Sequence, residues 1–265
     1  MRMPVYFVSH GGGPWPFMPE ARPAYAALTA SFEEMPRQIG RKPAAILMIS
    51  AHWEARGGFL IMDNPRPPMV YDYYGFPEHT YTIQYPAPGS PELARRVAEL
   101  LKQAGLPHAF DHERGFDHGA FVPLSLIYPD ADVPVVQLSL ETHLDPQLHI
   151  ELGRALAPLR DENVLIIGSG LSYHNLREIR SIGAVPSAQF DAWLQQAIVQ
   201  GPVDQRLEQL RHWEKAPAAR RAHPREEHLL PLMVAAGAAE QDPASCVYHD
   251  NSTFAGITAS SFRFG

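Results

Sequence analysis

Several stretches of the chain are apolar without polar alternation, the pattern of strands covered on both faces. The clearest is Ala44–His52, AAILMISAH, whose apolar run breaks abruptly into Ser50, His52 and Glu54. Pro4–Gly13, PVYFVSHGGG, is a shorter run ending in His10 and a glycine turn, and Asn163–Asn175, NVLIIGSGLSYHN, runs through Gly168 and Gly170 to His174. Val133–Leu140 reads as a further buried strand, and Gly58–Asp63, His108–Asp111, Ser245–His249 and Ile257–Phe264 as lesser ones. Ligands of open α/β sheets collect just beyond the carboxyl ends of the strands. Three apolar runs that each hand a histidine to one edge therefore define where chemistry is expected.

Helical spacing fills the intervals. Ser90–Gly105 is the strongest case: Ser90 caps, Pro91 suits the first turn, Leu93, Val97, Leu100 and Leu101 share a face, and Gly105 stops it. Helices are also predicted over Arg22–Met35, Ala120–Tyr128, Asp145–Leu159 and Ser187–Gln200, the last capped by Ser187. Val203–Arg221 reads as a solvated helix and loop, and His223–Gly237 as a helix with Pro224, Glu226 and Glu227 at its start. Gly11–Pro19 is too rich in glycine and proline for regular structure, and Asn64–Pro88, dense in proline and tyrosine, is predicted to be a long ordered loop whose aromatics wall a pocket. The alternation of strand and helix predicts one α/β domain over residues 1–265, with a central, mostly parallel or mixed sheet flanked by helices.

Composition narrows the partners. A net charge of −7, from 29 acids and 22 bases, with no basic run interleaved with aromatics, argues against nucleic acid. No apolar run approaches the roughly 20 residues that span a bilayer, and the start lacks the apolar region of a signal peptide, so a cytoplasmic protein is expected. One cysteine, Cys246, permits no internal disulfide and excludes a thiolate metal site. Any metal must then be held by imidazole and carboxylate, and the chain has 13 histidines.

A lone histidine is usually a hydrogen-bonded structural residue, and His79, His108, His143, His149, His212 and His249 are read so. His10, His52, His174 and His228 stand apart. Three follow buried strands, and His228 falls in the first turns of a predicted helix, whose positive end favours the neutral imidazole a metal requires. His223 is taken as a pocket residue behind the ligands, His112 and His118 as residues of a glycine-flanked loop. His52 and Glu54 form an HxE unit that makes Glu54 a rival ligand. GSGLS (Gly168–Ser172) is not a nucleophile elbow, and the glycines after His10 lack the lysine of a phosphate loop.

SHGGGP (Ser9–Pro14), SAHW (Ser50–Trp53), YPAPGSPELA (Tyr85–Ala94), GFDHGAF (Gly115–Phe121), YPDADVPVVQLSL (Tyr128–Leu140), GSGLSYHNLR (Gly168–Arg177) and HPREEHLLPL (His223–Leu232) together resemble the class III extradiol ring-cleaving dioxygenases, in the LigB-type branch that includes the DOPA dioxygenases. They occur in the family's order across nearly the whole chain, departing from it in the GGGP after His10, where many relatives have Gly-Ser-Pro. The resemblance implies a single α/β domain and a mononuclear non-haem metal, Fe(II) for ring cleavage, with Zn(II) also found in this branch. It implies His10, His52 and His228 as metal ligands, His174 as acid/base and a fourth ligand in a resting zinc form, and His118 as a second pocket histidine. The implied partners are a small aromatic diol and O2, with self-association left open. Arg177, His223 and the loop from Asn64 to Pro77 are candidates for reading the substrate's side chain. The rivals are a zinc hydrolase on the same histidines and a non-catalytic metal- or ligand-binding protein.

Overall fold

In the computed structural model, which describes residues 2–179, 181–254 and 256–265, the apolar runs become strands. They are β1 (Val5–Ser9), β2 (Ala45–Ala55), β3 (Phe59–Met62), β4 (His108–Asp111), β5 (Val135–Glu141), β6 (Val164–Gly170), β7 (Ala244–Phe254) and β8 (Ile257–Phe264). All eight join one sheet in the order β4-β3-β5-β2-β6-β1-β8-β7. Its centre, β5-β2-β6-β1, is parallel. β3 runs antiparallel to β5, and β8 antiparallel to both β1 and β7, so the sheet is mixed. Every residue of β1, β5 and β6 is buried, which is why those strands show no alternation in sequence.

The described α-helices are α1 (Ala26–Ile39), α2 (Pro91–Gln103), α3 (His118–Ile127), α4 (Pro146–Leu156), α5 (Ala184–Gln195), α6 (Val203–Arg211), α7 (Ala219–Ala222) and α8 (Leu230–Ala238). α8 packs against β6, β1 and β2 with α4 behind it, and α3 packs against β2 and β6 with α1 behind it. Side chains set several of the starts: Ser90 Oγ accepts from Leu93 N, Asp117 Oδ1 from Ala120 N and Asp145 Oδ1 from Gln147 N.

Register brings the strand ends to one level. Ser9 lies opposite Gly170, and Ser50 opposite Ser169. Two glycines of β6 then let the segment from His228 to Pro231 lie directly on the strand. A β-carbon at Gly168 would stand 2.2 Å from the Pro231 carbonyl oxygen, and one at Gly170 2.0 Å from that of His228.

Several boundaries differ from expectation. α1 begins at Ala26 rather than Arg22, after a 3-10 turn over Arg22–Tyr25. α5 begins at Ala184, so Ser187 is not its cap; Pro186 falls in the first turn, where its missing N–H costs nothing, and Ser187 Oγ donates to Ala184 O. α3 starts at His118, placing that histidine on a helix rather than a loop. The predicted helix from His223 is broken: α8 starts only at Leu230, because Pro231 inside a longer helix would remove a hydrogen bond and clash with the preceding turn.

Candidate metal centre

Two strands, one helix and two connections deliver imidazoles to the carboxyl end of the sheet. His10 directly follows β1, its N–H bonded to Gly170 O at 2.9 Å. His52 lies within β2, where the register against β5 shifts between Ile49 and Glu54, an irregularity of the kind that re-aims a side chain. His118 opens α3, whose cap Asp117 also accepts from Ser50 Oγ at 2.7 Å and so ties α3 to the end of β2. His174 and His228 sit on the connections after β6 and before α8, laced together by Leu171 N to His228 O at 3.1 Å and His174 N to Ala222 O at 2.9 Å.

The rings of His10, His52 and His228 converge through one atom type. His52 Nε2 stands 3.1 Å from His10 Nε2 and 3.2 Å from His228 Nε2. The opposite ring nitrogens face oxygen: His10 Nδ1 meets Ser169 Oγ at 3.1 Å, His228 Nδ1 meets Glu227 Oε1 at 2.9 Å, and His52 Nδ1 lies 3.4 Å from Asp72 Oδ2. Ser169 Oγ donates to Gly119 O, so toward His10 it accepts. Carboxylates and an accepting hydroxyl place the proton on Nδ1, which leaves three Nε2 lone pairs aimed at one another. That arrangement is repulsive without a cation between them. Nitrogens about 2.1 Å from one divalent ion and separated by about 95° stand about 3.1 Å apart, which is the spacing His52 Nε2 keeps to both His10 and His228.

Electrostatics agree. Burial, then the neighbouring imidazoles of His52, His228, His118 and His174, holds His10 far below the ordinary histidine range. Burial and the other histidines act likewise on His228, and burial first, with His118, lowers His52 to about 4. All three are neutral at physiological pH, the state a metal ligand needs. His228 owes this to burial and its neighbours rather than to a first helical turn, which it does not occupy.

The other two imidazoles flank the triad. The His118 ring lies 3.9 Å from that of His52, its Nδ1 2.8 Å from Asp72 Oδ1. The His174 ring stacks on His228 at 3.4 Å, its Nδ1 3.0 Å from Glu227 Oε1. All five histidines open into a cavity of about 610 Å³, otherwise walled by Trp15, Met18, Tyr25, Tyr73, Phe76 and Leu171 among others. That volume accommodates a substituted aromatic ring.

Some sequence candidates lie elsewhere. Glu54 does not join the imidazoles: its carboxylate forms a two-point pair with Arg225, which removes the HxE reading. His223 is buried behind the site, donating to Ser172 O at 3.0 Å and packed against Phe190 and Trp213. Arg177 is exposed and off the cavity wall, whereas the loop from Asn64 contributes Tyr73 and Phe76. His79, His108, His112, His143, His149, His212 and His249 each bond to groups away from the cavity. Two carboxylates have places at the site that the sequence does not assign them: Asp72, and Glu227, which the sequence marks only as a charge at a helix start. Asp72 belongs to the long loop, which is stitched to Phe116 by Val70 N to Phe116 O and Phe116 N to Pro68 O, both 2.8 Å.

The LigB family, described as the catalytic LigB subunit of aromatic ring-opening dioxygenase, matches residues 4–265. This chain belongs to the LigB family. It is similar to a 4,5-DOPA dioxygenase extradiol of Beta vulgaris, 43% identical over 98% of this chain and 96% of that one. A protein of the same name from Escherichia coli K12 is 38% identical over 89% and 85% of the two chains. Among solved structures, an uncharacterized protein of Escherichia coli K12 superposes over 100% of both chains with a TM-score of 0.77 at 32% identity. LigB extradiol dioxygenases work with a non-haem metal, and two neighbouring donor groups, His10, His52 and His118 on one side and His174, Glu227 and His228 on the other, lie close enough to hold one. Among the described residues of this LigB chain no helix is long and apolar enough to cross a membrane.

Proposed function

We propose that this chain, over residues 1–265, is an extradiol dioxygenase that opens a catechol-type ring beside its hydroxyls, using O2 and an Fe(II) ion held by His10, His52 and His228. The observation that carries the reading is that His52 Nε2 stands 3.1 Å from His10 Nε2 and 3.2 Å from His228 Nε2 inside an aromatic-walled cavity. Held there by His10, His52 and His228, Fe(II) would supply Lewis-acid activation of the diol and redox chemistry toward O2. Zn(II) fits the same donors and accounts for a resting form.

The protein's own groups handle protons and position. His174 keeps a proton on Nδ1 through Glu227, so its Nε2 is free to take a phenol proton and later return it. His118, fixed by Asp72, presents its Nε2 to a substrate hydroxyl. Tyr73 and Phe76 give the ring an apolar wall and exclude water. The substrate is an aromatic diol of the kind the relatives' names describe, and the lone Cys246 suits a cytoplasmic setting.

The test is oxygen uptake after anaerobic loading with Fe(II), run across a catechol panel. Stoichiometric O2 consumption with a yellow semialdehyde product is expected. Turnover of an ester or amide with no oxygen consumed would replace this reading with a zinc hydrolase.

A further inference from the structure

The carboxylates Asp72 and Glu227 do matching jobs at the histidine cluster. Asp72 Oδ1 accepts from His118 Nδ1 at 2.8 Å and from His118 N at 3.0 Å, while Oδ2 faces His52 Nδ1 at 3.4 Å. Glu227 uses a single oxygen for both of its imidazoles: Oε1 lies 2.9 Å from His228 Nδ1 and 3.0 Å from His174 Nδ1. Its Oε2 points to Arg225, 3.4 Å away, and Arg225 is itself clamped by Glu54. Each carboxylate thus hydrogen-bonds one imidazole, His118 for Asp72 and His228 for Glu227, and stands within ion-pair distance of a second, His52 and His174 respectively.

We propose that Asp72 and Glu227 are paired positioning residues, each fixing the tautomer of one metal-holding imidazole and one proton-handling imidazole. The inference rests on the reading of His10, His52 and His228 as ligands. Two negative charges close behind three neutral imidazoles also balance a divalent cation, so loading the site leaves little net charge in a buried region.

The geometry makes the two carboxylates unequal toward amide substitution. In Glu227→Gln the carbonyl oxygen can occupy the place of Oε1 and still accept from both imidazoles. In Asp72→Asn one oxygen becomes an NH2 group. With the carbonyl kept toward the two His118 donors, that NH2 faces His52 Nδ1–H, donor against donor, and His52 must move its proton to Nε2 or lose the contact.

The experiment uses the metal-free full chain with Zn2+ as probe, its affinity measured by chelator competition, and 15N ring shifts of the histidines to read tautomers. Asp72→Asn is expected to lose ~10- to 100-fold in Zn2+ affinity and to show His52 protonated at Nε2. Glu227→Gln is expected to stay within a few-fold of the parent, with His174 and His228 still protonated at Nδ1, while Glu227→Ala falls as far as Asp72→Asn. Parental affinity in Asp72→Asn overturns the proposal, as does Glu227→Gln losing as much as Glu227→Ala. If the alanine variant does not fold, the two amides decide alone. Should the zinc asymmetry appear while no catechol consumes O2 in the Fe(II)-loaded parent, the ring-cleavage reading fails and the positioning roles stand. Oxygen uptake without the asymmetry is the reverse.

Discussion

The histidine cluster has two halves built on different principles. His10 and His52 are carried by β1 and β2, inner strands paired on both sides: His10 N extends the ladder to Gly170 O, and His52 sits where the register against β5 shifts. His174 and His228 ride on connections, and their placement depends on cross-links between those connections and on a shared carboxylate. An inner strand fixes the backbone that carries its imidazole, whereas a loop-borne imidazole also depends on bonds that hold its loop in place. The sheet half supplies two of the three proposed ligands, whereas the loop half couples the third, His228, to the proton-handling His174 through Glu227.

The sharpest way to break that contrast is His52→Ala. With a central donor gone, metal content after loading and dialysis is expected to fall to background, and ring-opening activity with it. His174→Ala should instead keep its metal and lose ~10²- to 10⁴-fold in kcat, the range for removing a general acid/base; loss of metal in that variant would erase the division of labour. Gly170→Ala probes the seam between the halves, because the added carbon would meet the His228 carbonyl at 2.0 Å. Thermal or urea unfolding should show a loss of about 1–3 kcal/mol, with weaker Zn2+ binding.

The mildest effect belongs to His223, which ties the two connections together through Ser172 O. Burial lowers its pKa from 6.5 to about 3. Between those values the unfolded chain binds a proton that the folded chain does not, so stability present above pH 6.5 is lost as pH falls, by about 1.4 kcal/mol per pH unit for one proton. In His223→Gln the acid limb of metal-free unfolding should flatten by close to one proton. An unchanged slope would show that His223 is not a neutral tie.

This contrast also marks what the sequence could convey. Buried parallel strands announce themselves through continuous apolar runs, so β1, β2, β5 and β6, and the histidines just after or within them, were readable from spacing. The long-range partners were not. Glu54, two residues from His52, looked like the natural carboxylate, yet Arg225, far away in sequence, claims it. Glu227 was read as a helix-start charge because Pro224 drew attention from Pro231, the proline that delays α8 and leaves Glu227 and His228 on a turn. Asp72 sits in a loop whose path is set by backbone bonds to Phe116, which no local pattern encodes. Ser187 carried a cap-forming side chain at a position where the helix was already running.

The pairing of β8 with β1 carries a consequence for folding. Val5, Tyr6 and Phe7 lie opposite Phe264, Arg263 and Phe262, and Ser9 bonds to Ser260 and Ser261, 251 and 252 residues away. The flank of the strand that presents His10 is thus closed by a contact of very long sequence separation, a slow kind of closure. Strain applied to β8 would reach the first imidazole of the pocket through that ladder.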